Sequence, residues 1–118
     1  RYSQQGPDDY RRAEAFDLSL YALAPQAADD ILGIYLWGHE TFGARQADFY
    51  QDELERAFQR LADFPKLGRL RHEIDPAVRT QPTGSHVIIY EETASGVAIL
   101  RVRHGHEDWT GDPLGYDL

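Results

Sequence analysis

The sequence predicts an α+β domain of order β-α-α-β-β-β, with a helical hairpin packed on a mainly antiparallel sheet. Three observations predict it. Two adjacent stretches repeat apolar side chains every three or four residues, with only Gly43 between them. One alternating segment precedes them. Short runs rich in β-branched residues, punctuated by Pro and Gly, follow from Lys66 to His104.

Each element has its own reason. Residues 1–15 are polar, with Gly6-Pro7 and Asp8-Asp9, and a flexible arm or weak helix is expected there. Phe16 to Leu23 alternates at its start and reads as the first strand. Ala24-Pro25 opens a helix, since Pro suits the first turn, and Asp29 and Asp30 stand near the positive end of its dipole. Its expected apolar stripe is Ala28, Ile31, Leu32, Tyr35 and Phe42, and Gly43 is its stop. A second helix is expected from about Ala44 to Phe64, with Ala47, Tyr50, Leu54, Ala57, Phe58 and Leu61 on one face. Pro65 ends it, because Pro disfavours helical geometry in the residue before it. The tight connection makes the pair an antiparallel hairpin.

Three strands are expected next. Arg69–Ile74 with Val78–Gln81 forms one irregular strand interrupted by Asp75-Pro76. Ser85–Glu91 follows the turn at Pro82-Thr83-Gly84, and Val97–His104 follows Ser95-Gly96. Strict alternation in the last strand sends Ala98, Leu100 and Val102 toward the helices and Ile99, Arg101 and Arg103 to the open face.

A chain of 118 residues suits one domain with a real core. We expect an arm over 1–15, the domain over 16–109 and an acidic tail over 110–118. There is no cysteine, so disulfides and thiolate metal sites are excluded, in keeping with a reducing cytosol. No apolar run approaches a membrane span, and the N-terminal residues lack the apolar core of a signal peptide. With no methionine and Arg1 leading, a trimmed chain or fragment is expected. The net charge of −8 argues against general affinity for nucleic acid, which depends on many phosphate contacts.

The charge is uneven. Residues 1–65 carry 6 basic and 12 acidic side chains, residues 66–103 carry 6 and 4, and residues 104–118 carry none and 4. Arg69, Arg71, Arg79, Arg101 and Arg103 therefore gather on the sheet half. Arginine forks grip carboxylates and phosphates with paired hydrogen bonds, which suits a partner-binding face. Spacing alone favours the plainer reading, a solvated face with charged residues blunting an edge. His104-Gly105-His106 places two imidazoles near Asp108, but so short a spacing is common, and no metal site is expected. Adjacent acidic pairs such as Glu91-Glu92 diverge on a strand and make no paired-carboxylate catalyst. Trp37 stands off the apolar stripe of its helix, and Trp109 and Tyr116 have no evident core to join, which suits docking.

Together these residues resemble the ParE branch of the ParE/RelE toxins. The likeness is carried by Leu23-Ala24-Pro25, Ala28-Asp29-Asp30-Ile31, the stretch from Leu61 to Arg71, Glu73-Ile74, His86 to Tyr90, and Ile99 to Gly105, and covers about residues 16–109. It implies the fold above and a cytoplasmic toxin of a type II toxin–antitoxin module that inhibits DNA gyrase by non-covalent binding, with no catalytic residue, cofactor or metal. It also implies neutralisation by a cognate antitoxin that wraps the toxin, contact with DNA only through that antitoxin, and no membrane partner. On this reading Arg69, Arg71, Arg79, Arg101, Arg103, His104, His106 and Trp109 face the target. The antitoxin covers Ile31, Tyr35, Trp37, Tyr50 and Phe58. The alternative is a RelE-like ribosome-dependent endoribonuclease using Arg71, Arg79, His86, His104 and Glu53; a non-toxic binding domain of the same fold is a third reading. The acidic balance, and Lys66 as the sole lysine, favour the gyrase-directed branch. The chain departs from the family pattern in its long arm, in Arg103 where an apolar residue is common, in His106-Glu107 where Arg is common, and in its acidic tail.

Overall fold

Pro25 and Gly43 bound the first helix as the sequence requires. The structure, a computed structural model, describes residues 20–106 and Leu114. Strand β1 (Leu20–Leu23) leads directly into α1 (Pro25–Phe42), with Pro in the first turn. Gly43, at φ 96°, takes a backbone conformation that side chains resist, and its N–H bonds to His39 O at 3.0 Å. Helix α2 (Ala44–Asp63) then folds back antiparallel.

Four strands follow rather than three: β2 (Arg69–Arg71), β3 (Val78–Thr83), β4 (His86–Thr93) and β5 (Gly96–His104). The irregular strand expected over 69–81 is two strands, because the chain reverses at 72–77 and β2 pairs antiparallel with β3. Pro76 lies in that connection, where no ladder N–H is required. The sheet order is β1-β5-β4-β3-β2, antiparallel except for the parallel pair β1–β5. That pair is close. A Cβ on Gly96 would lie 1.7 Å from Leu20 O, so only glycine fits.

The main core lies between hairpin and sheet. Leu54, Phe58 and Leu61 of α2 and Ile31 of α1 pack on Ile88, Tyr90, Val97, Ile99 and Val102. The stripe expected on α1 is rotated by about a residue: Ala27 and Ile31 are buried, whereas Ala28, Leu32 and Phe42 are exposed. A second cluster, Ile74, Val78, Val87 and Ile89, occupies the opposite sheet face, with Leu100 and Leu114 packed against it.

A register irregularity between Ile89 and Tyr90 corrects the alternation expected in β5. Ile89 pairs with Arg101 and Tyr90 with Ile99, so Leu100 is the extra residue of a bulge. Ile99 consequently joins the helix-facing core while Leu100 turns to the other cluster; of the three side chains assigned to the helices, only Val102 belongs to that core. Residues 1–19, which include the arm and the start of the first expected strand, lie outside the described residues, as does Trp109.

Candidate functional site

Cross-strand pairing decides which side chains share a face. Arg69 and Arg71 lie opposite Thr80 and Val78, Arg101 opposite Ile89, and Arg103 opposite Val87. Val78, Val87 and Ile89 belong to the second cluster, so these four arginines surround an apolar centre on the open face. Arg79 does not join them. It pairs with Tyr90 on the helix side, donates to Gly68 O (2.8 Å) and Glu92 Oε2 (2.9 Å), and leaves its side chain only 14% exposed.

The open-face arginines differ in freedom. Arg69 is exposed, and Arg103 is half-buried. Arg71 is held by Glu73 at 2.6 Å, and Glu73's carboxyl sits below the ordinary range because its own backbone amide and Arg71 both stabilise the anion. Arg101 reaches across the free edge of β5 to α1, where it grips both oxygens of Asp30 at 2.7 and 2.9 Å and also donates to Leu114 O. Asp30 accepts from Val102 N–H as well (2.9 Å), satisfying a strand-edge donor beyond the reach of β1. Asp30 therefore serves β5 rather than the helix dipole, which nothing in its local sequence signals.

The second surface is a groove of about 710 Å³ between the hairpin and the ends of β4 and β5. Ile34, Trp37, Phe42, Ala47 and Val102 line its apolar part, Asp29 and Asp30 stand at its rim, and Tyr50, His86 and His104 close one end. The phenol of Tyr50 is a hub: its oxygen accepts from Ser85 N–H (3.1 Å), lies 2.6 Å from His86 Nδ1 and 3.3 Å from Thr83 O. Burial pushes its ionisation upward. His86 and His104 are cross-strand partners with ring centres 5.3 Å apart, and His106 follows 5.2 Å from His104. Among the described residues no three His, Asp or Glu side chains are grouped to hold a metal ion. Gln51 Oε1, also in the groove, is buried without a hydrogen-bond partner.

Leu32, Leu36, Trp37, Phe42 and Phe49 are exposed apolar side chains of the hairpin, and Trp37, in the groove lining, is 61% exposed and edge-on to Phe42. Tyr35 bridges the helices through Asp48 Oδ1 at 2.7 Å. Ile31 and Phe58, expected at a partner surface, are 7% and 1% exposed. They pack beneath the hairpin and are corrected to core. The nuclease set is also dispersed. Arg71 pairs with the start of β3 while His86 pairs with its end, and Glu53 is bonded to Arg56 at 3.2 Å on α2.

The fold and these two surfaces describe a small α+β protein with an apolar groove on one side and an arginine-flanked sheet on the other. Residues 21–109 match the family model of the ParE toxin of the type II toxin–antitoxin system parDE. Toxin ParE1 of Mycobacterium tuberculosis is 35% identical over 91 residues, covering 76% of this chain and 93% of that protein. Toxin ParE1 of Caulobacter vibrioides is 30% identical over 84 residues, covering 71% and 86%. A solved chain titled as the chromosomal ParDE TA system from P. aeruginosa superposes with a TM-score of 0.62 at 22% identity, over 73% of this chain and 94% of that one. The chain belongs to the ParE toxin family of type II toxin–antitoxin systems.

Proposed function

We propose that this toxin arrests growth by binding DNA gyrase without catalysis, in the cytoplasm, and that a cognate antitoxin neutralises it. The observation that carries the target half is the open sheet face, where Arg69, Arg71, Arg101 and Arg103 flank the apolar centre of Val87 and Ile89. Guanidinium groups around an apolar patch give a protein partner both orientation and desolvated contact. Catalysis on RNA finds less support, since the cross-strand imidazoles lie at one end of β3 and Arg71 at the other, about 16 Å along the strand.

The antitoxin half rests on the groove. Its apolar walls, the exposed Trp37 and the unsatisfied acceptor of Gln51 suit an apolar peptide segment that brings a hydrogen-bond donor. Tyr35, Trp37 and Tyr50 remain the antitoxin contacts. His104 closes one end of the groove and moves to the antitoxin side, His106 and Trp109 stay with the target surface, and Arg79 is left to brace the sheet.

The test is gyrase supercoiling in the presence of purified toxin. Inhibition is expected, and the double variant Arg69→Ala with Arg103→Ala should weaken it by about tenfold or more while keeping the wild-type melting temperature. Full supercoiling at a large excess of folded toxin would remove the gyrase reading. Arg101 is unsuitable for this purpose, because its removal leaves Asp30 without its charge partner.

A further inference from the structure

The face that carries the arginines is not bare, and what stands on it belongs to this chain. Leu114 is half-buried against the cluster of Ile74, Val78, Val87 and Ile89, and its carbonyl accepts from the Arg101 guanidinium. Leu114 follows Arg101 by 13 residues, yet lies against the strand that carries that arginine. Residues 107–118 hold Glu107, Asp108, Asp112 and Asp117 and no basic residue. The face on which Leu114 stands holds Arg69, Arg71, Arg101 and Arg103. Val87 and Ile89, at 8% and 0% exposure, are buried in the cluster to which neither described helix contributes.

We infer that the open face of the sheet is a binding surface for an acidic segment bearing a large apolar side chain, and that residues 107–118 are its resident, intramolecular occupant. Leu114 supplies the apolar plug and the carboxylates complement the arginines. The contact is entropically cheap because the occupant is tethered at the end of β5, which raises its local concentration above that of any free partner. It is also weak per charge, since exposed pairs contribute little each and are screened by salt. Any partner that uses the same face, including the target proposed above, must first displace it.

The experiment is methyl NMR on the full-length chain, with no partner present, so that it judges this contact independently of the gyrase reading. Nuclear Overhauser contacts are expected between Leu114 methyls and those of Val87 and Ile89. In wild type these contacts should weaken as salt rises from about 0.05 to about 0.5 M, whereas the quadruple variant Glu107→Gln, Asp108→Asn, Asp112→Asn and Asp117→Asn, which keeps the apolar plug, should show weaker contacts at low salt that change little across that range. In Leu114→Asp the contacts are lost. A synthetic peptide of residues 107–118 added to that variant should then shift the Val87, Ile89 and Arg103 resonances saturably, with shifts about tenfold more dilution-sensitive once its four acids are neutralised. Absence of the Leu114 contacts in wild type, or a peptide that shifts nothing in a folded Leu114→Asp chain, overturns the inference.

Discussion

Asp30 and Arg101 form a two-pronged ion pair, 2.7 and 2.9 Å, that fastens the first helix to the free edge of the last strand. Both side chains are about 15% exposed, and Asp30 also holds Val102 N–H. Removing either partner leaves a largely desolvated charge. Asp30→Ala or Arg101→Ala is expected to cost about 2–3 kcal/mol, read as a lower urea midpoint at unchanged slope. Asp30→Asn, which keeps an acceptor for Val102, should lose less. Equal losses for Asn and Ala would show that the strand-edge bond contributes nothing.

Tyr50 gathers three partners around one hydroxyl, Ser85 N–H, His86 and Thr83 O. Tyr50→Phe keeps the ring in place but removes these hydrogen bonds, with the exposed Ser85 N–H turning to water, at about 1 kcal/mol. The imidazole of His86 should change environment in the same variant, visible as a moved ring-proton signal. An unmoved His86 signal would place the two groups apart in solution.

Trp37 lies on the surface, so its loss should separate binding from folding. Trp37→Ala is expected to change stability by no more than about 0.5 kcal/mol, measured by thermal melting. The same change should weaken antitoxin binding by about 2 kcal/mol, close to thirtyfold, by calorimetry on the purified pair. Undiminished binding would move the antitoxin off the groove.

Glu92 gives a pH signature. Lys66 at 3.1 Å and Arg79 at 2.9 Å hold its carboxyl below the ordinary range. A carboxylate whose folded pKa is depressed adds stability above its unfolded pKa and loses that stability as pH falls through the folded value. Wild type should therefore destabilise on acidification below about pH 4.5, and Glu92→Gln should show a shallower acid slope in melts taken across that range. Identical slopes would mean the contact is fully screened.

Gly96 tests the one parallel pairing of the sheet. A methyl group there meets Leu20 O at 1.7 Å, which no rotamer relieves. Gly96→Ala should cost about 3 kcal/mol or more and expose β1 amides to hydrogen exchange. Protected β1 amides at wild-type stability would contradict the register.

Much of the architecture was legible in the chain. The step of three or four along α2, from Ala47 through Leu61, could be buried on only one face, and the structure buries it. Pro25, Gly43 and Pro65 act through the local backbone alone, so the ends of both helices follow from residue type. Where the reading strayed, a neighbour intervened. The bulge at Leu100 reassigns one half of β5, and it depends on how β4 and β5 register, which neither strand specifies by itself. The stripe on α1 turned because Ala27 lets that helix approach the sheet closely while Leu32 and Leu36 are left outside.

The candidate surfaces divide in the same way. Charge counts along the chain located positive charge on the sheet half and isolated Trp37, since both are properties of composition and helical phase. Pairing register then put Arg69, Arg71, Arg101 and Arg103 on one face and sent Arg79 to the other, a distinction that needs the neighbouring strand.

By itself, then, the sequence determined the family, the two helices and the side of the molecule that carries positive charge, because motif, periodicity and backbone stereochemistry are local. Only the tertiary structure decided that Arg101 belongs to Asp30, that His86 meets Tyr50, and that Leu114 stands on the arginine face. Those pairings join residues 13 to 71 positions apart, and they form only when packing of the core fixes which edges and faces come within hydrogen-bond reach.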